Sequence, residues 1–258
     1  MVQSTGNLSI SVFFPAYNDG GTIASLILLA NQMLASLTDD YEIVVVEDGS
    51  HDYTLQVLEE LQKTLPALRI IKHPENLGYG AALKTGFAQC TKELIFYTDG
   101  DGQYDVREMK LLLEQLTKGV DWVNGYKISR KDPLRRKIIG RIYHSIVSLM
   151  FGISLKDIDC DFRLIRRSVF NKVQLSYDSG VICVEMMKKF QTAGFTVREV
   201  PVSHYFRAYG KSQFFNFRRV FQVGIDLMKL WYVLMILPNI SCLPPVSVRQ
   251  PTALKEKV

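Results

Sequence analysis

Leu94-Ile95-Phe96-Tyr97-Thr98-Asp99-Gly100-Asp101-Gly102-Gln103 decides how the rest of the chain is read. Five β-prone residues run straight into two carboxylates spaced one residue apart, and glycines flank the second. A strand that ends in Asp-x-Asp presents oxygens at the edge of a sheet, where a hard divalent cation can sit beside a diphosphate. The pattern alone is not specific, since it recurs at Asp157-Ile158-Asp159 and Asp159-Cys160-Asp161 and also suits a solvated turn. Its surroundings give it weight.

Those surroundings alternate strand and helix. Upstream, Leu8 to Phe14 is a short β-branched and aromatic run that stops at Pro15, and Thr22 to Leu37 is apolar at helical spacing. Glu42 to Val46 is a continuous apolar strand that ends in Glu47-Asp48-Gly49-Ser50. A strand without polar alternation is covered on both faces, as in parallel sheets. Tyr53 to Leu65 reads as a helix, Arg69 to Lys72 as a strand, and Asn76-Leu77-Gly78-Tyr79-Gly80 as a glycine-rich turn into a helix over Ala81 to Cys90. Beyond the acidic pair, Val106 to Leu116 is helical and Asp121 to Gly125 is a fifth strand. This rhythm predicts an α/β, three-layer sandwich around a mostly parallel sheet. Ligands of such sheets bind beyond the carboxyl ends of the strands. Pro15 to Asp19, Glu47-Asp48 and Asp99 to Asp101 all fall there and are expected to converge on one crevice.

At 258 residues the chain fits one large or two small domains. No segment reaches the roughly 20 apolar residues of a spanning helix. Met1 to Ser9 has neither a basic start nor a cleavage pattern, so no signal peptide is expected. Cys90, Cys160, Cys183 and Cys242 are scattered, which reads as reduced thiols in a cytoplasmic protein and not as a zinc site or a disulfide frame. Gly78-Tyr79-Gly80 lacks the lysine and hydroxyl of a P-loop and the third glycine of a dinucleotide fingerprint. Its glycines suit close packing and a tight turn.

Phe14-Pro15-Ala16-Tyr17-Asn18, Val46-Glu47-Asp48-Gly49-Ser50, Asn76 to Ala82 and Asp99-Gly100-Asp101-Gly102-Gln103 together, in this order, resemble the family-2 glycosyltransferases. The closest group is the dolichol-phosphate mannose synthases and polyprenyl-phosphate glycosyltransferases, over about residues 8 to 219. The resemblance implies a glycosyltransferase A-type fold. It puts Pro15, Tyr17 and Asp19 around the nucleoside, with Asp19 standing where the family more often has Glu. It makes Asp48 the acceptor of a base N–H, where the bare residues would equally suit a turn or helix cap. It puts Mg2+ or Mn2+ and the diphosphate on Asp99 and Asp101, with Gly100 and Gln103 beside them. Lys84, one turn into the following helix, is either a phosphate contact or solvated surface.

The second half opens on a basic run: Lys127, Arg130, Lys131, Arg135, Arg136, Lys137 and Arg141, with only Asp132 among them. Stacking aromatics and a nucleic-acid-binding motif are missing, so nucleic acid is not the expected partner. From Ile138 to Phe151 the polar residues Arg141, His144, Ser145 and Ser148 form a narrow stripe on an apolar helix. Phe214 to Leu237 repeats the design, with Arg219, Gln222, Asp226 and Lys229 as its polar line. Such helices suit a membrane interface; the alternative is burial in the core or in a dimer. Between them, Asp157 to Leu164 resembles the family's acceptor-side segment. Asp161 is the best match for its acid, with Asp159 second. Glu185 faces the site or solvent. Arg207-Ala208-Tyr209-Gly210-Lys211-Ser212-Gln213 departs from the family's Arg-x-x-Gly-x-Ser-Lys. Arg207 is there a phosphate clamp or the partner of Glu199, and Lys211 stands two residues before the usual lysine.

The expected organisation is a catalytic domain over 1–212, with a nucleotide-sugar half (1–126) and an acceptor half (127–212), then an interface helix (213–237) and a tail (238–258). The expected activity is metal-dependent, inverting transfer of a sugar from a nucleoside-diphosphate sugar to a polyprenyl phosphate. Asp101, Asp161 and Arg207 are the catalytic candidates. The protein would be cytoplasmic, peripheral on the membrane, with a homo-oligomer or a membrane-protein partner as a further possibility. The competing readings are a saccharide or another lipid as acceptor, and a non-catalytic adaptor on the same fold. Sugar, nucleotide, acceptor lipid and metal identity are not legible at this level.

Overall fold

The computed structural model describes residues 8–128, 134–210 and 217–237, without the side chains of 134–136 and 217–220. Its strands are β1 (Ser9–Ala16), β2 (Asp40–Glu47), β3 (Leu68–Lys72), β4 (Leu94–Thr98), β5 (Trp122–Ile128), β6 (Phe162–Arg166) and β7 (Val197–Ser203). Its helices are α1 (Ile23–Ala35), α2 (Thr54–Thr64), α3 (Tyr79–Gln89), α4 (Met109–Gln115), α5 (Leu134–Phe151), α6 (Ile182–Thr192) and α7 (Phe217–Trp231). The described strands form one sheet in the order β3-β2-β1-β4-β6-β5-β7. Neighbours are parallel except β6, which runs antiparallel to both β4 and β5.

Successive residues of a strand face opposite sides of its sheet, and here the two sides carry separate cores. Val12, Phe14, Ile43, Val45, Phe96, Phe162 and Leu164 meet α1, α2 and α4 on one side. Phe13, Val44, Val46, Ile95, Tyr97 and Ile165 meet α3, α5, α6 and α7 on the other. This is the expected three-layer sandwich.

Helix α3 approaches β1 closely because Gly86 has no side chain. A Cβ there would stand 2.1 Å from the Phe13 ring, which is itself held by Phe87 and Tyr97. Gly86→Val is therefore expected to cost about 1–3 kcal/mol by overpacking. Helix propensity returns only a few tenths of that. A lower denaturation midpoint in urea checks it.

Two strands had no counterpart in the sequence reading. Asp157 to Leu164 was expected only as an acceptor segment, yet its second half forms β6 in the sheet interior. Val197–Ser203, with the adjacent charges Arg198 and Glu199 and the proline Pro201, forms the edge strand β7, where a proline is tolerated.

The two amphipathic helices split their apolar surface. Val147 and Phe151 of α5 and Leu227 and Leu230 of α7 are buried in the second core, and the Trp231 indole N–H donates to the Met150 carbonyl at 2.9 Å. The other apolar faces are open: Ile138, Ile139, Ile142, Ile146 and Leu149 on α5, and Phe221, Ile225 and Met228 on α7. Leu149 is 87% exposed and Phe221 71%. Among the described residues no helix is long and apolar enough to cross a membrane.

Candidate active site

The carboxyl ends of β1, β2 and β4 lie side by side because those strands are parallel neighbours. The Asp19 loop follows β1, and its carboxylate Oδ2 accepts the Tyr17 N–H at 3.1 Å. Gly100 binds this loop to the acidic pair: its N–H donates to the Pro15 carbonyl at 3.3 Å, and its carbonyl accepts the Thr22 hydroxyl at 2.7 Å. A Cβ on Gly100 would stand 3.0 Å from the Pro15 oxygen and 3.1 Å from the Asp19 carboxylate, so a larger residue would have to push the two loops apart by a few tenths of an ångström.

Asp101 is buried; its Oδ1 accepts the Gln103 N–H at 3.0 Å and its Oδ2 the Arg207 Nη2 at 2.5 Å. Arg207 Nη1 lies 3.9 Å from Asp19. Asp99 Oδ1 accepts the Tyr79 hydroxyl at 2.8 Å. Asp161 enters from the β6 side, where its Oδ1 lies 3.0 Å from Arg163 Nη1 and 3.3 Å from Cys183 Sγ.

Burial and mutual repulsion mark these carboxyls. Desolvation pushes Asp19 up to about 7, helped by Asp101 and opposed by the Tyr17 N–H and Arg207. Asp99 is pushed well above the ordinary carboxyl range by burial first, then by Asp161 and Asp101. Asp161 is raised to about 7 by burial, against the pull of Lys127.

A divalent cation fits this donor set, because it would relieve the repulsion that burial creates around Asp99 and Asp101. Among the described residues, no three His, Cys, Asp or Glu side chains are arranged to hold a metal by themselves. That suits a hard cation held by one or two carboxylates and completed by substrate phosphates.

The other expected site residues divide. Asp48 lies at the end of β2, but its Oδ1 already accepts His73 Nδ1 at 2.6 Å and the Leu77 N–H at 3.0 Å, and its Oδ2 the Gly78 N–H at 3.0 Å. One lone-pair direction is left for a base. The Gln103 amide donates to the Tyr205 carbonyl at 3.1 Å, tying the acidic loop to the chain after β7. Lys84 donates to the Ser176 carbonyl at 3.0 Å and pairs with Asp178 at 2.6 Å. Tyr17 is half-buried with its ring edge toward His51.

Glu185 faces neither site nor solvent: it is buried and accepts the Ser176 and Tyr177 N–H groups, with Lys189 at 2.7 Å. Arg207 pairs with Asp101, while Glu199 accepts the Lys156 N–H instead. Lys211, Gln213, the side chain of Arg135 and the tail from 238 lie outside the described residues.

The sequence reading did not single out Tyr79, Tyr97 or His73, and it took Arg163, beside Asp161, as part of a segment that resembles one carrying an acid and an arginine at the acceptor side. Arg163 is fully buried, with Nε on Asn124 Oδ1 at 2.8 Å, Nη2 on the Ile158 carbonyl at 2.5 Å, and Nη1 on the Tyr97 hydroxyl as well as Asp161. A buried guanidinium needs such partners.

A family model, "Glycosyl transferase family 2", matches residues 11–174, which include β1, β2, β4 and the acidic pair. The chain belongs to glycosyl transferase family 2. Within that family it is 28% identical to an undecaprenyl-phosphate 4-deoxy-4-formamido-L-arabinose transferase of Pseudomonas fluorescens, over 82% of this chain and 62% of that protein. It is 26% identical to the glycosyltransferase AglD of Haloferax volcanii, over 92% of this chain and 39% of that one. The chain thus spans less than two thirds of the length of these relatives.

Among solved structures, glucosyl-3-phosphoglycerate synthase of Mycobacterium tuberculosis superposes with a TM-score of 0.67 at 18% identity, covering 87% of this chain and 79% of that one. A mannosyltransferase of Pyrobaculum calidifontis, solved with GDP-Man and Mn2+, gives 0.63 at 17% identity, covering 92% and 68%. The fold is that of the glycosyltransferase A-type enzymes of family 2.

Proposed function

We propose that this chain transfers a sugar, with inversion, from a nucleoside-diphosphate sugar to a polyprenyl phosphate at a membrane surface. One observation carries the reading: Asp99, Asp101 and Arg207 meet at the strand ends of a family-2 fold whose helices α5 and α7 leave apolar faces uncovered. The similarity to an undecaprenyl-phosphate sugar transferase supports the acceptor class. In this reading 1–126 serves the donor, 127–212 the acceptor and 213–237 the membrane, at its cytoplasmic face.

Asp99 and Asp101 would hold a Mg2+ or Mn2+ ion, which supplies positive charge to the departing diphosphate. Pro15, Tyr17 and Asp19 line the nucleoside side. Arg207, already beside Asp101, holds a phosphate in line with the anomeric carbon, where a guanidinium can engage two oxygens at once. The acceptor phosphate has a second pKa near 6 and is already anionic at neutral pH, so no strong base is required. Asp161, held by the Arg163 guanidinium, orients its neighbours instead of taking a proton. The nucleophilic phosphate oxygen forms a bond to the anomeric carbon as the bond from that carbon to the nucleoside diphosphate breaks.

Incubation with radiolabelled UDP- or GDP-sugars, Mn2+ and undecaprenyl or dolichyl phosphate tests this. Label in the lipid phase is expected; label only in water-soluble products would overturn the acceptor assignment. The membrane part has its own check. Flotation with vesicles containing anionic lipid is expected to carry the wild-type chain upward. The double variant Ile142→Glu/Phe221→Glu should bind at least tenfold less, since each apolar side chain kept from lipid forfeits about 1.5–3 kcal/mol.

A further inference from the structure

Tyr79 lies in the turn Gly78-Tyr79-Gly80, whose glycines match neither a P-loop nor a dinucleotide fingerprint. The structure shows what they accommodate. Gly78 has φ +100°, and a Cβ on it would stand 2.7 Å from the Asp178 carbonyl oxygen. A Cβ on Gly80 would stand 2.4 Å from the Tyr177 carbonyl oxygen. The Gly80 N–H donates to the Asp178 carbonyl at 2.8 Å. On the opposite side, Asp48 grips the turn through the Leu77 and Gly78 N–H groups, and Asn76 Nδ2 donates to the Asp48 carbonyl at 3.2 Å. His73 locks that carboxylate from behind, its other ring nitrogen 3.0 Å from the Thr85 hydroxyl. The tyrosine backbone is thus clamped between the end of β2 and the loop before α6.

A phenol held in this way has little rotational freedom left to lose. Its hydroxyl ends on Asp99 Oδ1 at 2.8 Å, with Asp161 close enough to interact with the same phenol. A phenol ionises only at about pH 10, so at neutral pH it is uncharged. It therefore donates a hydrogen bond without adding a charge that would compete with a cation.

We infer that Tyr79 is a positioning residue: its hydroxyl fixes one oxygen of Asp99 so that the other is aimed at the cation, and Asp48 and the 177–179 carbonyls hold Tyr79 in place. The inference rests on the proposed cation site at Asp99 and Asp101. Partners that orient a ligating carboxylate typically change metal affinity 10–100-fold when removed.

The test is direct Mn2+ binding, read by the loss of the free-ion electron paramagnetic resonance signal, in wild type, Tyr79→Phe and Asp101→Ala, with UDP or GDP as the added diphosphate. Tyr79→Phe keeps the ring and removes only the hydroxyl. Its Mn2+ affinity is expected to fall at least tenfold, with sugar transfer recovering as Mn2+ is raised to saturation, while Asp101→Ala loses the binding. Wild-type affinity in Tyr79→Phe beside lost binding in Asp101→Ala would overturn the role of Tyr79 and leave the cation site standing. Wild-type affinity in both would remove the cation site and this inference with it.

Discussion

Asp101→Ala is expected to reduce sugar transfer about a thousandfold or more while leaving the fold intact. A metal that neutralises a departing diphosphate contributes several kcal/mol at the transition state, and each 1.36 kcal/mol is a factor of ten in rate. The variant removes one of two carboxylates from the cation and frees the Arg207 guanidinium that now rests on it at 2.5 Å. Its effect on stability works in two directions. The bonds from the Gln103 N–H and Arg207 are lost. The repulsion that Asp101 exerts on Asp19 and Asp99, both held above their ordinary range, is relieved. These changes oppose each other, so the melting temperature should move by only a few degrees. Rate measured against Mn2+ concentration, beside a thermal melt, checks both halves. Wild-type rates would eliminate the metal-site assignment, and a collapsed melt would mean that Asp101 is structural first.

Residues local in sequence were the legible ones. Leu94–Thr98 is the strand its β-prone run announced, and the acid pair falls at its end because that run stops at Asp99. Strand β2 was readable because Ile43 to Val46 are apolar without alternation, and all four are buried between two helical layers. Strand β6 was not: Phe162-Arg163-Leu164-Ile165-Arg166 carries two arginines, and nothing local says that Arg163 turns inward to meet Asn124, some forty residues away in sequence. Long-range pairing of an antiparallel strand between two others leaves no trace in periodicity. The fates of Lys84 and Glu185 were hidden for the same reason, since each depends on the Ser176–Asp178 loop folding over α3 and α6. Tyr79 had a signal that went unused: an aromatic residue between two glycines, in a turn with no phosphate-loop chemistry, needs a structural destination.

The buried arginine gives the largest expected stability effect. Arg163→Met is expected to destabilise the protein by about 3–5 kcal/mol, because the largely buried Asp161 carboxyl would be left without its fully buried guanidinium partner. Asn124 Oδ1 and the Ile158 carbonyl would lose their partner in the same step, each at a cost of about 1–3 kcal/mol when left unsatisfied, while the Tyr97 hydroxyl keeps Asp161. Asp161→Asn alone removes the charge but keeps an acceptor for Arg163 and should cost less. The double variant Arg163→Met/Asp161→Asn discriminates between causes. If the charge left behind is the main penalty, the double variant will be more stable than Arg163→Met. If the lost bonds to Asn124 and Ile158 dominate, the two costs will add, as they do for independent sites. Urea unfolding of the wild type and the three variants closes this cycle. A cost below about 1 kcal/mol for Arg163→Met would mean that water at the partly open Asp161 carboxyl replaces the guanidinium, which would weaken the repulsion that makes Asp99 and its neighbours hospitable to a cation.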